Sequence, residues 1–364
     1  MQKLFLSSLE ISNFRNLAPL RFELSDRFNV ISGRNGSGKT NLLEAIYFFS
    51  TLRSFRTVFR KEILQEGIDE ARLRGIFQGA AAGMTLDIFL TKTHRKIIKD
   101  QKELSSLADH FYNLPMVLFH PANMSLVQGG PKERRRFMDR ALFQADLGYP
   151  LLLGDYNRAL SSRNALLKSR PSDASILSPY DQALSRLGSR IVTARQKFIQ
   201  KAGQLFSDAM QRIGDGINGE IRYVPDVSDD ESSYLRLLEK VRCRDMNRGF
   251  TNRGPHADDL EILISEKMAR RYASQGQQRM AVLSMKIAEV MTLSEVTNRI
   301  PILLLDDLSS ELDRERNHSF FSFLDEVGGQ VFITTTHLDH VLLSDQRTDF
   351  VIDSGKVELL GRGV

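Results

Sequence analysis

The stretch that most constrains this chain is "FNVISGRNGSGKTNLLEAIYFFS", residues 28–50. A short apolar run leads into Gly33-x-x-x-x-Gly38-Lys39-Thr40, and helical periodicity follows through Leu42, Leu43, Ile46, Tyr47 and Phe49. Strand, glycine loop and helix in this order are what a phosphate-binding loop requires. Glycines let the backbone curl so that successive N–H groups point at a β-phosphate, Lys39 reaches the β- and γ-phosphates, and the Thr40 hydroxyl ligates Mg2+. Gly33, Arg34, Asn35, Gly36, Ser37, Gly38, Lys39 and Thr40 are therefore the expected nucleotide-binding residues of an α/β protein that takes a nucleoside triphosphate.

A second acidic site is expected far downstream, in "RIPILLLDDLSSELD". Ile302 to Leu305 form a continuous apolar run that suits a fully buried parallel strand. It ends in Asp306 and Asp307, where an open α/β sheet places its ligand chemistry. One carboxylate, Asp306, can hold Mg2+ while the other, Asp307, orients an attacking water. The strand "GQVFITTTH" then ends at His337, which is either a contact for a γ-phosphate or an ordinary satisfied polar residue.

Between these lies "YASQGQQR", residues 272–279, ahead of the helical stretch "MAVLSMKIAEVM". Leu283, Ile287, Val290 and Met291 share one expected buried face, with Lys286 and Glu289 off it. Ser274, Gln275, Gly276 and Gln277 thus sit at a helix N-terminus, which suits an anion. An N-cap serine followed by polar residues is the alternative reading.

Composition narrows the class. Of 364 residues, 41% are hydrophobic and 26% charged, as in soluble globular proteins. No apolar run approaches the ~18 residues of a membrane span, and the N-terminus alternates like a strand, so a cytoplasmic location is expected. The single Cys243 excludes an internal disulfide or a cysteine zinc site. A net charge of +5 permits a polyanionic partner without demanding one.

The order of these segments resembles that of ABC-type ATPases, whose signature motif matches Ser274, Gly276 and Gln277. Asp307 stands where most such ATPases carry glutamate, and "DDLSSELD" matches the D-loop, ending at Asp313. The resemblance implies that the signature helix of one head faces the γ-phosphate held by another, making Ser274 a ligand for a partner's nucleotide. The separation of Lys39 from Ser274 exceeds a usual transporter insertion, yet is too short for a long coiled coil. In detail, "LEISNFRNL", "TLRSFR", "VLFHPANMSLVQGGPKERRRFMDR", "YNRALSSRNALLK", "RGPHADDLEI", "SQGQQR" and "PILLLDDLSSELD" together resemble the RecF family of bacterial recombination mediators, in the ABC/SMC-like class.

That resemblance implies an ABC-type P-loop ATPase head with a mixed sheet and an inserted helical arm. Residues 1–120 and 251–364 are expected to build the head, with the strand "LEILISE" completing its sheet, and 121–250 the arm. It further implies ATP and Mg2+ as cofactors and an ATP-dependent homodimer acting as a slow, DNA-stimulated ATPase. Gapped DNA or ss–dsDNA junctions, RecR and RecO are the implied partners, in loading RecA during recombination, replication restart and the SOS response. An SMC-like structural DNA clamp and a transporter-type ABC subunit are the alternatives. Candidate DNA contacts are Arg134, Arg135 and Arg136, which could equally be a solvated face or turn toward Asp139 or the head; Arg53, Arg56 and Arg60 are a second patch that could equally contact nucleotide.

Overall fold

The computed structural model describes all residues except 80–82, 105, 170–172, 215, 308–313, 344–345 and 363–364. The chain forms two compact units, 1–123 with 289–364, and 124–288.

The first unit holds two sheets. One pairs β1 (Gln2–Ser12) with β2 (Leu20–Glu23) on one side and β4 (Glu70–Gly79) on the other. It continues through β5 (Met84–Thr91), β6 (Arg95–Lys99) and the short β7 (Lys102–Glu103), with β12 (Arg299–Ile300) flanking β1. The other sheet has the order β16-β15-β3-β14-β13-β8. Its strands are β3 (Phe28–Ser32), β8 (Met116–Phe119), β13 (Ile302–Asp306), β14 (Val331–Thr335), β15 (Arg347–Asp353) and β16 (Lys356–Arg362). All adjacent pairs but β15–β16 are parallel.

Parallel strands are covered on both faces, so they read as unbroken apolar runs. Every residue of β3, β8, β13 and β14 is buried. Helix α1 (Lys39–Thr51) lies in the core, with Leu42 through Phe49 all buried, each large apolar side chain stabilising by about 1.5–3 kcal/mol. Phe49 meets Phe77 edge-on at 5.6 Å, joining α1 to β4. Gln330 links the two sheets: its Oε1 accepts from Leu6 N at 2.8 Å, and its Nε2 donates to Leu6 O and Ser25 O. The short helix α2 (Leu107–Asn113) precedes β8, and α10 (Arg314–Val327) leads into β14.

The second unit is mainly helical: α3 (Ser125–Gln128), α4 (Pro131–Ala145), α5 (Tyr149–Lys168), α6 (Ser178–Ile213) and α7 (Glu231–Arg248). Its own three-stranded antiparallel sheet contains β9 (Gly219–Val224), β10 (Asp259–Ile264) and β11 (Lys267–Met268). The strand "LEILISE" was expected to complete the head sheet. It pairs instead with β9 over six residue pairs, so residues 251–288 group with the helices. Helices α8 (Ala269–Tyr272) and α9 (Gln275–Thr297) follow.

Two buried ion networks bind this unit. Arg163 on α5, fully buried, donates to Asp181 and Asp245 at 2.7 Å each and to Thr251 at 2.8 Å. Arg195 on α6 donates to Asp139 at 2.8 Å, Asp258 at 2.7 Å and Pro255 O at 2.7 Å. The second arginine of "YNRALSSRNALLK", Arg163, and the first aspartate of "ADDLEI", Asp258, are thus packing residues. Helix α9 departs from its expected amphipathic pattern: Lys286 and Glu289 are buried along with Met280 to Val290, apart from no position in that run. Lys286 Nζ lies 5.7 Å from the Phe137 ring centroid, where a cation is attracted by the ring face. Among the described residues no helix is long and apolar enough to cross a membrane.

Candidate nucleotide site

The parallel strands β3, β8, β13 and β14 all end at the same sheet edge, which brings together the glycine loop, His120, the Asp306–Asp307 pair and Thr334–His337. The carboxyl edge is where open α/β sheets bind ligands. The loop turns through left-handed backbone at Gly36 (φ 80°) and Gly38 (φ 118°), which favours glycine. Gly33 is needed for space, since a Cβ there would meet Ile352 O at 2.4 Å. Helix α1 starts at Lys39 with no side-chain cap, so its first-turn amides remain available to an anion at the positive end of the dipole. The Ser37 hydroxyl is buried with no hydrogen-bond partner among the described residues. An uncapped helix start and a buried unsatisfied hydroxyl both fit a phosphate chain.

Lys39 Nζ donates to Gly33 O at 2.7 Å and to Arg34 O at 3.0 Å. Burial lowers its pKa from that of an ordinary lysine, and the nearby Asp307 and Asp306 oppose the shift. Thr40 Oγ1 lies 3.0 Å from both Asp306 carboxylate oxygens, although the residues are 266 apart in the chain. Thr334 Oγ1 donates to Asp306 Oδ1 at 2.8 Å and holds the carboxylate in place. A hydroxyl facing a carboxylate suits Mg2+, which uses one or two protein oxygens and completes its shell with phosphate and water.

Asp307 sits just past β13 in left-handed backbone (φ 51°), its N–H donating to Thr334 O at 3.2 Å and Thr334 Oγ1 at 3.1 Å. A non-glycine residue there costs on the order of 1 kcal/mol or more, and such strain collects at functional sites. His337 is exposed, and its N–H donates to Thr335 Oγ1 at 3.2 Å. Asp313, the expected end of the D-loop, lies outside the described residues.

Two further residues, unmarked by any motif, lie close to these groups. His120, directly after β8, places Nε2 3.4 Å from Asp306 Oδ2. Its Nδ1 accepts from Ala122 N at 2.9 Å, so in the neutral ring the proton is on Nε2, facing the carboxylate. Burial lowers the His120 pKa, Asp306 raises it and Arg56 lowers it again. The available signal was a polar residue at the end of an apolar strand, the same one that marked Asp306. The second is Glu44, buried inside α1. It accepts from Arg15 Nε at 3.0 Å, Arg15 Nη2 at 2.7 Å and the Ser54 hydroxyl. Nothing in the sequence pattern pairs residues so distant in the chain.

The signature segment belongs to the second unit. Ser274 Oγ accepts from Gln277 N at 3.2 Å, and Ser274 N donates to Gln277 Oε1 at 2.9 Å. This reciprocal pair is a capping box, so the capping role exists whatever else Ser274 does. Ser274, Gln275 and Gly276 are exposed. A Cβ on Gly276 would have only Ser274 Oγ nearby, at 3.9 Å, and its backbone is not left-handed. Neither crowding nor conformation within the chain calls for glycine there, although it costs up to about 1 kcal/mol against alanine in a helix.

The expected arginine patch on α4 needs correction. Arg134 is buried and forms a two-pronged pair with Asp259, at 2.7 Å and 2.9 Å, while its Nη1 donates to Gly129 O at 2.9 Å. A bidentate, buried guanidinium is a packing element and cannot reach DNA. Arg135 donates to Asp258 O at 2.6 Å, and Arg136 pairs with Glu133 at 2.9 Å on the exposed surface.

The RecF/RecN/SMC N-terminal domain family matches residues 5–356. A relative from Geobacter metallireducens, called DNA replication and repair protein RecF, is 36% identical, covering 97% of this chain and 99% of its own. The solved structure of the recombination mediator RecF with ATP, from the RecFOR pathway, superposes with a TM-score of 0.90 at 30% identity, covering 99% of this chain and 98% of that one. An SMC head bound to the winged-helix domain of ScpA shares the fold alone, with a TM-score of 0.59 at 13% identity over 99% of this chain and 98% of that one. On these matches, which span both units, the chain belongs to the RecF family of the RecF/RecN/SMC class.

Proposed function

We propose that this protein is an ATP-controlled DNA-binding head of gap repair that dimerises around two nucleotides. The observation that carries the reading is the Thr40–Asp306 pair at 3.0 Å beneath an uncapped helix start. The α1 amides and Lys39 would hold the phosphates, and Thr40 and Asp306 would hold Mg2+. Mg2+ neutralises developing phosphate charge when bound. Asp307 orients water for slow hydrolysis.

Ser274, Gln275, Gly276 and Gln277 would complete a partner's site in trans. The exposed Gly276, with open space around it, supports close approach by another molecule. Asp313 and His337 are assigned to the D-loop and switch on the family pattern alone. The partners assigned are gapped DNA or ss–dsDNA junctions and RecR, with RecO in the same pathway, toward loading RecA in the cytoplasm.

Sedimentation with and without ATP and Mg2+, alongside binding to gapped, single-stranded and duplex DNA, tests the reading. ATP-dependent dimers with ATP-dependent DNA affinity are the expected result. A monomer in both conditions with unchanged DNA affinity overturns it.

A further inference from the structure

Two segments of the first unit, distant in sequence, meet beside the end of α1. One is "LRSFRTVFRK", residues 52–61; the other is the β5–β6 turn, "TKTHR", residues 91–95. Arg95 Nη1 donates to Leu52 O at 2.5 Å, and Arg60 Nη1 donates to Thr93 O. Each segment is thus fastened to the other through a guanidinium. Farther down the same loop, the Ser54 hydroxyl donates to Glu44, and Arg56 Nη1 donates to Asn41 Oδ1 at 2.5 Å. The loop stem is therefore fixed to the phosphate-binding helix, and its tip projects.

That tip is unusual in charge and in polarity. Arg53, Arg60 and Arg95 lie close enough that burial, then Arg60, then Arg53, lowers the Arg95 pKa. Among the described residues none of the three forms an ion pair with a carboxylate. Gathering like charges without a counter-ion is unfavourable, and an external polyanion would offset the repulsion. Beside them Val58 is 85% exposed and Phe59 59% exposed. Phosphate contacts alone would not use an exposed phenyl ring. Single-stranded nucleic acid offers both a charged backbone and an unstacked base face, whereas a duplex keeps its bases stacked.

We propose that Arg53, Arg60 and Arg95, with Phe59 at the tip, form a docking surface for single-stranded DNA on the first unit, the guanidinium groups along the phosphates and the phenyl ring against a base. The inference rests on the DNA-binding reading above and adds where and how the strand is held.

The test uses the full chain with ATP and Mg2+ and three probes: oligo-dT, blunt duplex, and gapped duplex. Arg53→Ala with Arg60→Ala should weaken oligo-dT binding and lower the slope of log affinity against log salt by up to about 1.4, at about 0.7 per single-strand phosphate contact. Phe59→Ala should weaken oligo-dT binding about fivefold or more with the slope unchanged, and leave blunt duplex binding alone. The thermal melt serves as the fold control; ATP binding measured alongside should be unchanged, and its loss in the Arg53→Ala, Arg60→Ala protein with the fold intact would assign the arginines to nucleotide and overturn this surface. Wild-type affinities and slopes in both variants, with wild type itself binding DNA, would overturn this surface while leaving the DNA-binding reading intact. Equal losses on duplex and oligo-dT in Phe59→Ala would overturn the single-strand assignment. Failure of the wild-type protein to bind any probe would overturn both.

Discussion

The Thr40 hydroxyl of α1 and the Asp306 carboxylate of β13 stand 3.0 Å apart at the carboxyl edge of the parallel sheet. Their separation is set by neighbouring strands: β13 pairs with β14, and β14 pairs with β3, which launches the loop into α1. Thr334 on β14 tethers the same carboxylate at 2.8 Å.

Lys39→Met removes the charge that faces the phosphates and should abolish ATP binding measured by calorimetry or a fluorescent analogue. Asp307→Asn should keep binding but block turnover and trap the ATP-bound dimer. Asp306→Asn should shift the Mg2+ dependence of ATP binding to higher concentration. Hydrolysis by Asp307→Asn at the wild-type rate would remove Asp307 from the water-orienting role.

Ser274→Arg separates capping from a role in trans. Losing the capping box alone should cost roughly 1 kcal/mol in a melt. If the segment completes a partner's site, the variant should still bind ATP as a monomer but lose its ATP-induced dimer and its turnover. Normal dimerisation in sedimentation would leave only the cap.

Arg134 and Arg136 should behave oppositely despite lying two positions apart on α4. Arg134→Ala strands the partly exposed Asp259 without its two guanidinium donors, and should cost about 1–3 kcal/mol of stability. Arg136→Ala should leave the melt within about 0.5 kcal/mol. A DNA role for Arg136 would appear as a salt slope shallower by about one unit or less.

Arg163→Leu should destabilise the second unit by more, about 3–5 kcal/mol, because it leaves the fully buried Asp181 and Asp245 without their shared cation. ATP binding by the first unit should survive wherever the protein remains folded.

His110 predicts an acid limit on stability. Its buried ring contacts Phe49 O at 2.6 Å, and burial pushes its pKa down to about 4. The unfolded chain, with a pKa near 6.5, then binds more protons than the folded one between pH 6.5 and about 4. Its contribution is complete above pH 6.5 and is lost as pH falls toward 4, by at most about 1.4 kcal/mol per pH unit. His110→Gln should remove that part of the slope in urea titrations at pH 7 and pH 5. Equal slopes for wild type and variant would contradict it.

Local pattern was enough for the phosphate-binding loop, the buried strand ending in Asp306–Asp307 and the helix opened by Ser274. Each is written in consecutive residues: glycine spacing, an unbroken apolar run, a cap ahead of a periodic stretch. The same locality explains what was missed. His120 approaches Asp306 only because β8 pairs with β13, and Glu44 meets Arg15 only because the fold brings together residues 29 apart in the chain. Arg134 and Arg136 are equivalent letters in "KERRRF"; helix rotation turned one toward Asp259 and the other toward solvent. Lys286 and Glu289 read as surface residues, yet α9 is enclosed around its circumference from Met280 to Val290. The strand "LEILISE" was correctly a strand, but strand pairing is a long-range choice, and β9 took it into the second unit. Sequence determined which segments become the glycine turn, the buried strand with its acidic end and the capped helix start, since each depends on backbone and side-chain chemistry a few residues apart; tertiary structure decided which charges are buried and which distant side chains come together, since both depend on what packs against them.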